Sequence, residues 1–548
     1  MFSGIKRLDF YLVLVLGGLT LAQFVLFLPN NHVVSDIWDY WRFQETGISL
    51  LFQPTTRPLA HSLFWVLWSI DPHSWTLLNL TQVVVMVLKA VTVYWFVAQI
   101  LTRPAGLLAG ALILVFPASF GVYSMWTVNV NLILVALIVA LASLVWISRA
   151  FNPVGAVLLV LGLGYSLLSY EMGWPLALFG PAVLLISGPG RFKRRALILW
   201  YGTLIAIGGV LGVLLLGMGS HVNPSETGVH FVRASSVFDL SPETLPASIA
   251  SFFNAYRIHL VGVFEEATAY LTASKRSPLV LTALACGAAV GVTVLVLMWR
   301  GNRRTPSAKW AGAAVLGLAY IGLGYAPIAI TLLRTDRFHE FIYSSLGAAL
   351  FFAAVLFGLH DWLSGRFRAG RVWSIVLAGV SAFIMALLTF RSLDLTLAII
   401  ATANAQKAFG ESIVRQVPAP EADTAFVVFD TSDARLNTLF EVRPDRLRYV
   451  LGTVYENQTL PVFVCRDEGE PGPFVAVCEV REDGILVRSG QGAPSELLPL
   501  ERSVVFRTVE TEDGLRPVLD YRGADVPAGG DLPRRIGMVE TVPLPMRQ

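Results

Sequence analysis

Long apolar stretches alternate with short charged ones over the first 390 residues. Stretches free of Asp, Glu, Lys, Arg and His run at 10–31, 104–148, 150–170, 172–190, 196–220, 277–299, 310–333, 341–359 and 372–390. One more, 74–102, is interrupted only by Lys89. About 20 apolar residues cross a bilayer as a helix, so each stretch reads as one span, with a single exception. The 45 residues of 104–148 would make a helix of about 68 Å at 1.5 Å per residue, twice a bilayer. That stretch must fold back, around 117–131, and the count becomes eleven spans.

Beyond residue 390 the pattern changes. An amphipathic segment, 391–409, leads into short runs rich in Val, Phe, Tyr, Leu and Arg at 424–429, 447–455, 460–466, 474–481, 484–488, 503–508 and 516–521. Asp-Gly pairs at 483–484 and 513–514 separate some of them. This is the signature of strands joined by tight turns. The expected architecture is a polytopic α-helical membrane domain over 1–400, with outer loops 31–73 and 221–276. A C-terminal all-β domain over 401–548 follows it.

Composition sharpens this division. Hydrophobic residues make up 55% of the chain and charged residues 14%, against about 25% charged in a soluble chain. A cytosolic enzyme, a disordered chain and a disulfide-rich secreted domain are excluded. From residue 410 onward there are 15 Arg, no Lys and 23 acids, a net of −8, so the first 409 residues carry +11. Two regions of opposite sign imply two modules.

Loop charges set the orientation. One set of loops carries Lys6/Arg7, Arg103, Arg149, Arg191/Lys193/Arg194/Arg195, Arg300/Arg303/Arg304/Lys309 and Arg366/Arg368/Arg371. The opposite set is longer and poorer in bases. Basic loops stay on the cytoplasmic side, so the N-terminus is expected inside the plasma or inner membrane and the tail outside. No small-residue cleavage site follows the first span, which therefore reads as uncleaved. Cys286 lies within a span. Cys465 and Cys478 flank a turn-rich run in the tail, where an oxidising space would allow a disulfide across a hairpin; two free buried thiols are the alternative.

Several chemistries lack their residues. No two histidines have the spacing of a zinc helix, and no nucleophile elbow or phosphate-cradling P-loop is present. The tail has no histidine and only scattered carboxylates, which suits a capping or recognition domain. Any divalent-metal requirement stays open, since no metal motif is seen. Lys89 sits mid-span, where charge is expensive and faces the bundle interior, a cavity or a partner. It reads as held by a structural partner or snorkelling; contact with a lipid phosphate would need a broken or tilted span.

The first outer loop is the most informative: His32-Val-Val-Ser-Asp36-Ile-Trp-Asp39-Tyr-Trp-Arg42. Two carboxylates stand among aromatics just after the first span. Arg57-Pro58 and an apolar segment, 59–70, too short to span, come next; that segment reads as interfacial. Taken alone, these residues also fit an aromatic interfacial belt with Asp36 as a helix cap.

The order of features resembles the GT-C superfamily of membrane glycosyltransferases, most closely its protein O-mannosyltransferase-like branch. A loop acid is followed by Arg-Pro-Leu, an interfacial segment ending Asp71-Pro-His-Ser-Trp, and Leu78-Asn79 opening the second span. Phe116-Pro117 with Trp126, then Ser169-Tyr-Glu171-Met-Gly173, come later. Asp336-Arg337-Phe338-His339-Glu-Phe-Ile-Tyr343 is similar to the family's Glu-Arg-Tyr-x-Tyr pattern. The likeness covers roughly residues 1–400. The family's adjacent acidic pair is here Ser35-Asp36 with the second acid at Asp39, no lysine precedes Glu171, and tetratricopeptide repeats are missing.

The resemblance implies transfer of a sugar from a polyprenyl-phosphate donor to an acceptor hydroxyl of a glycan, lipid or protein on the outer face. Such chemistry needs a carboxylate base within about 3 Å of the acceptor hydroxyl and cations on the departing phosphate. Asp36 would be that base and Asp39 its neighbour or an acceptor-positioning group. Arg57 and Arg337 would hold the phosphate, with Glu171, His339 and Tyr343 in support. Two other functions stand beside this one. A non-catalytic GT-C-like subunit would use its β tail as a docking surface. A secondary transporter or lipid flippase would show broken-helix repeats, which the sequence lacks.

Overall fold

The computed structural model describes residues 7–24, 51, 57–71, 76–116, 127–188, 190–218, 243–273, 277–300, 306–330, 341–367, 369–431, 436, 439–440, 446–457, 459–468, 475–488, 495–511 and 514–539. Each of the eleven apolar stretches contains a helix. They are α1 (Arg7–Phe24), α3 (Thr76–Ile100), α4 (Arg103–Leu112), α5 (Thr127–Arg149), α6 (Pro153–Ser169) and α8 (Lys193–Met218), with α7 over Glu171–Ile186. α11 (Ser277–Arg300), α12 (Ser307–Ala329), α13 (Ser344–Phe367) and α14 (Gly370–Gln416) complete the set. Seven of these helices are long and apolar enough to cross a membrane; α1, α6 and α7 are shorter apolar helices. The 104–148 stretch is not one helix: α4 ends at Leu112 and α5 starts at Thr127.

The short interfacial segment contains a helix, α2 (Ser62–Ile70). The loop 221–276 contributes α9 (Leu245–Arg257), a π-helical turn (Ile258–Gly262) and α10 (Val263–Ala273), contiguous in sequence. Asn152 caps α6, its side chain accepting from the Val154 amide, and Pro153 fills the first helical position, where a missing N–H costs nothing. α12 and α13 approach closely because Gly324 lacks a side chain: a Cβ there would stand 2.5 Å from the Ser344 nitrogen.

Residue contacts divide the described chain into two compact units. The first holds most of 1–396; the second holds 62–79 and the residues from Leu397 onward. α14 changes unit at that point.

In the second unit, seven strands form one sheet: β1 (Ala425–Phe429), β2 (Val462–Arg466), β3 (Ala476–Arg481), β4 (Gly484–Arg488), β5 (Glu496–Leu498), β6 (Ser503–Thr511) and β7 (Gly514–Arg522). Their order is β5-β4-β3-β2-β1-β6-β7. β1 pairs in parallel with both β2 and β6, and β2 with β3, while the outer pairs are antiparallel. Glu482-Asp483 forms the turn of the β3–β4 hairpin, and Gly484, at φ +156°, opens β4 opposite Arg481. The tail is thus a β-sheet domain with two corrections to its all-β expectation over 401–548, the first being that α14 runs on through Gln416. The run 447–455 is not a strand: α15 (Arg446–Val454) occupies it. Leu447, Val450, Leu451 and Val454 are all buried, a 3.6-residue period, and two parallel strands need a crossover rather than a hairpin.

Cys465 and Cys478 form a disulfide, with Cα atoms 5.5 Å apart. It joins the parallel neighbours β2 and β3, not the two arms of a hairpin. Cys286 is free and buried.

Candidate functional site

The site is built where the chain after the first outer loop meets the C-terminal end of α6. The Leu59 amide donates to the Leu168 carbonyl at 3.0 Å, and the Ala60 amide to the Arg57 carbonyl at 3.1 Å. Asn129, on the first turn of α5, donates its side-chain N–H to the Ala60 carbonyl. Its Oδ1 accepts from the Tyr165 hydroxyl at 3.1 Å. These bonds pin 57–60 to two helix ends and aim Arg57 at Glu171.

α6 stops at Tyr170, whose extended backbone (φ −158°, ψ 124°) interrupts the helix before the 3-10 turn Glu171–Gly173. That break brings Tyr170 and Glu171 to the same place. Arg57 donates two parallel N–H bonds, from Nε and Nη2, to the two oxygens of Glu171, the fork geometry in which guanidinium and carboxylate match best. The guanidinium carbon also lies 4.6 Å from the centroid of the Tyr170 ring, a cation–π distance. Both side chains of the pair are about 40% exposed, so the pair can be reached from outside.

Tyr343 completes the group, its ring centroid 6.1 Å from that of Tyr170. It is 1% exposed, and its hydroxyl lies beside Ser166 Oγ without hydrogen-bond geometry; neither has a hydrogen-bond partner among the described residues. Arg57, Glu171 and Tyr343 therefore come together. Asp36, Asp39, Arg337 and His339 lie outside the described residues.

Three features are not legible in the sequence. The first is Tyr170, the aromatic face under Arg57. The partner of Lys89 is the second: the lysine is fully buried, and its Nζ donates to Asn131 Oδ1 at 3.0 Å. Asn131 in turn donates to the Thr127 carbonyl. The partner of the intramembrane amine is thus an amide one turn below the start of α5. Among the described residues no carboxylate pairs with Lys89.

The third is His259, in the π turn. Its Nε2 stands 2.7 Å from Ser344 Oγ, and its ring packs edge-on against Phe116 and Phe341. Burial pushes its imidazole down to about 3, so it is neutral at physiological pH. Further along, Glu266 accepts two bonds from Arg391, a guanidinium only 1% exposed. The only sequence hint of these was a long loop, 221–276, carrying three histidines and two adjacent glutamates. Among the described residues no group of three His, Cys, Asp or Glu could hold a metal ion.

The fold is that of a polytopic integral membrane protein with a C-terminal β-sheet domain. No family model matches the chain, nor does any curated protein sequence. Solved structures similar to it include the Archaeoglobus fulgidus oligosaccharyltransferase in its apo form, at 12% identity and a TM-score of 0.37 over 84% of this chain. The chain spans 65% of the length of that protein. ArnT from Cupriavidus metallidurans bound to undecaprenyl phosphate is similar at 15% identity and a TM-score of 0.37, over 82% of this chain and 89% of that one.

Proposed function

We propose that this protein is a membrane glycosyltransferase of the GT-C type that moves a sugar from a polyprenyl-phosphate donor to an acceptor hydroxyl on the outer face. The observation that carries the reading is the Arg57–Glu171 pair stacked on Tyr170, which presents an oriented, accessible guanidinium at the end of a span. Two of its five donors are committed to Glu171, which fixes the plane of the fork. In this reading the acceptor oxygen attacks the anomeric carbon and its proton passes to Asp36, with Asp39 positioning the acceptor. The bond from that carbon to the phosphate oxygen breaks, and the oxygen keeps the electron pair. Arg57 and Arg337 take up the charge of the departing phosphate, with His339 and Tyr343 in support. Preorganised cations matter most where charge develops.

The N-terminus lies inside and the tail, 401–548, outside in this reading. Loop-charge alternation supports that orientation, as does the Cys465–Cys478 disulfide, a bond typical of oxidising compartments.

Undecaprenyl phosphate binding to the purified protein tests the site. Arg57→Ala should weaken it about 10–100-fold, the size of one or two charge-assisted hydrogen bonds. Equal binding by parent and variant would leave Arg57 as a mere headgroup anchor.

A further inference from the structure

We propose that His259 is a positioning residue: its hydrogen bond to Ser344 holds the Phe341–Ser344 segment, and with it Tyr343, against Tyr170 and the Arg57–Glu171 pair. The positioning rests on geometry alone; only its consequence for donor binding rests on the function proposed above.

The Ser344 hydroxyl has the Phe341 carbonyl as an acceptor at 2.9 Å, and with its single hydrogen placed there His259 donates from Nε2–H. Nδ1 is then a bare acceptor, buried and without a hydrogen-bond partner among the described residues. An orphaned buried acceptor is unfavourable, and an apolar side chain would fill the space between Phe116 and Phe341 without that cost. What only a donor at this position supplies is the bond to Ser344. On its other side Ser344 is backed by α12, where Gly324 approaches its nitrogen. The start of α13 is thus gripped from both sides.

Three polar contacts tie α9, the π turn and α10 to three successive spans: Ser251 to the Tyr325 hydroxyl at 2.8 Å, His259 to Ser344, and Glu266 to Arg391.

Thiol protection tests this. Ser345 is fully buried, so Ser345→Cys in a Cys286→Ala background should react slowly with N-ethylmaleimide. His259→Phe should raise that rate about tenfold or more, as expected when a buried bond that closes a local opening is lost. His259→Gln, which keeps a donor at the same reach, should stay protected. A rate unchanged by His259→Phe overturns the proposal, and so does equal exposure in the two variants. Undecaprenyl phosphate binding is measured alongside and should fall in His259→Phe. A parent that does not bind it sinks the donor reading, while the thiol pattern still decides the positioning.

Discussion

Asp36 and His259 set the residue-scale expectations. Replacing Asp36 by Asn keeps shape and much of the hydrogen bonding but removes the basic lone pair. General-base catalysis is worth about 10²–10⁴-fold, so Asp36→Asn should lower transfer by about that much with donor affinity and thermal stability nearly unchanged. Asp39→Asn should cost less; the reverse order would move the base to Asp39. Full transfer by the double variant would make the non-catalytic subunit the leading account. For His259 the expectation concerns pH. Its folded value of about 3 lies below the ordinary 6.5, so between those values the unfolded state holds a proton that the folded state does not. Stability is therefore complete above about 6.5 and lost as pH falls, by up to about 1.4 kcal/mol per pH unit. The rings of Phe116 and Phe341 and the Ser344 hydroxyl face it, and no charged group does among the described residues. Thermal unfolding of the parent should show this acid slope, and His259→Gln should lack it. Parallel slopes would mean that the imidazole is not held neutral.

Elements depart from local expectation where packing outvotes pattern. The run 447–455 is rich in β-formers, yet its apolar residues repeat at helical spacing and its neighbours β1 and β2 are parallel. A crossover had to be built there, and α15 is that crossover. Likewise the span 372–390 and the amphipathic segment 391–409 are one helix of 47 residues, about 70 Å long, because no Pro or Gly stops it between them. The disulfide joins β2 to β3 across 13 residues, and closing a loop of that size stabilises by about 3 kcal/mol. Paired Cys465→Ala and Cys478→Ala substitutions should lower the unfolding transition of the tail, followed by limited proteolysis of the full chain, while the spans stay resistant. An unmoved transition would show that the sheet does not need its clasp.

For the whole molecule the decisive quantity is orientation. Under the proposed orientation, with the tail outside and the basic loops inside, a cysteine placed at Ser489 should react with an impermeant maleimide in intact cells. Labelling that appears only after membrane disruption would invert every loop, remove Asp36 and Arg57 from the outer face, and leave the proposed donor site on the wrong side.

The apolar helices, the break in the 104–148 stretch and a strand-rich tail are all legible in the sequence, because hydropathy and turn chemistry are local signals read within about 20 residues. Arg57 and Glu171 could each be singled out by residue type and loop position. Their bond could not, since 114 residues separate them and only the docking of 57–60 on α5 and α6 closes the distance. The same holds for Lys89 with Asn131 and for His259 with Ser344. Strand order in the tail was equally hidden: a period of two marks a strand but says nothing of which neighbour it pairs with, or in which direction. The sequence by itself determined which segments are apolar, which are strands and where chemistry-bearing residues cluster along the chain. Tertiary structure alone decided which of those residues meet, because contacts between distant segments are set by how helix and sheet faces pack, a property no single segment carries.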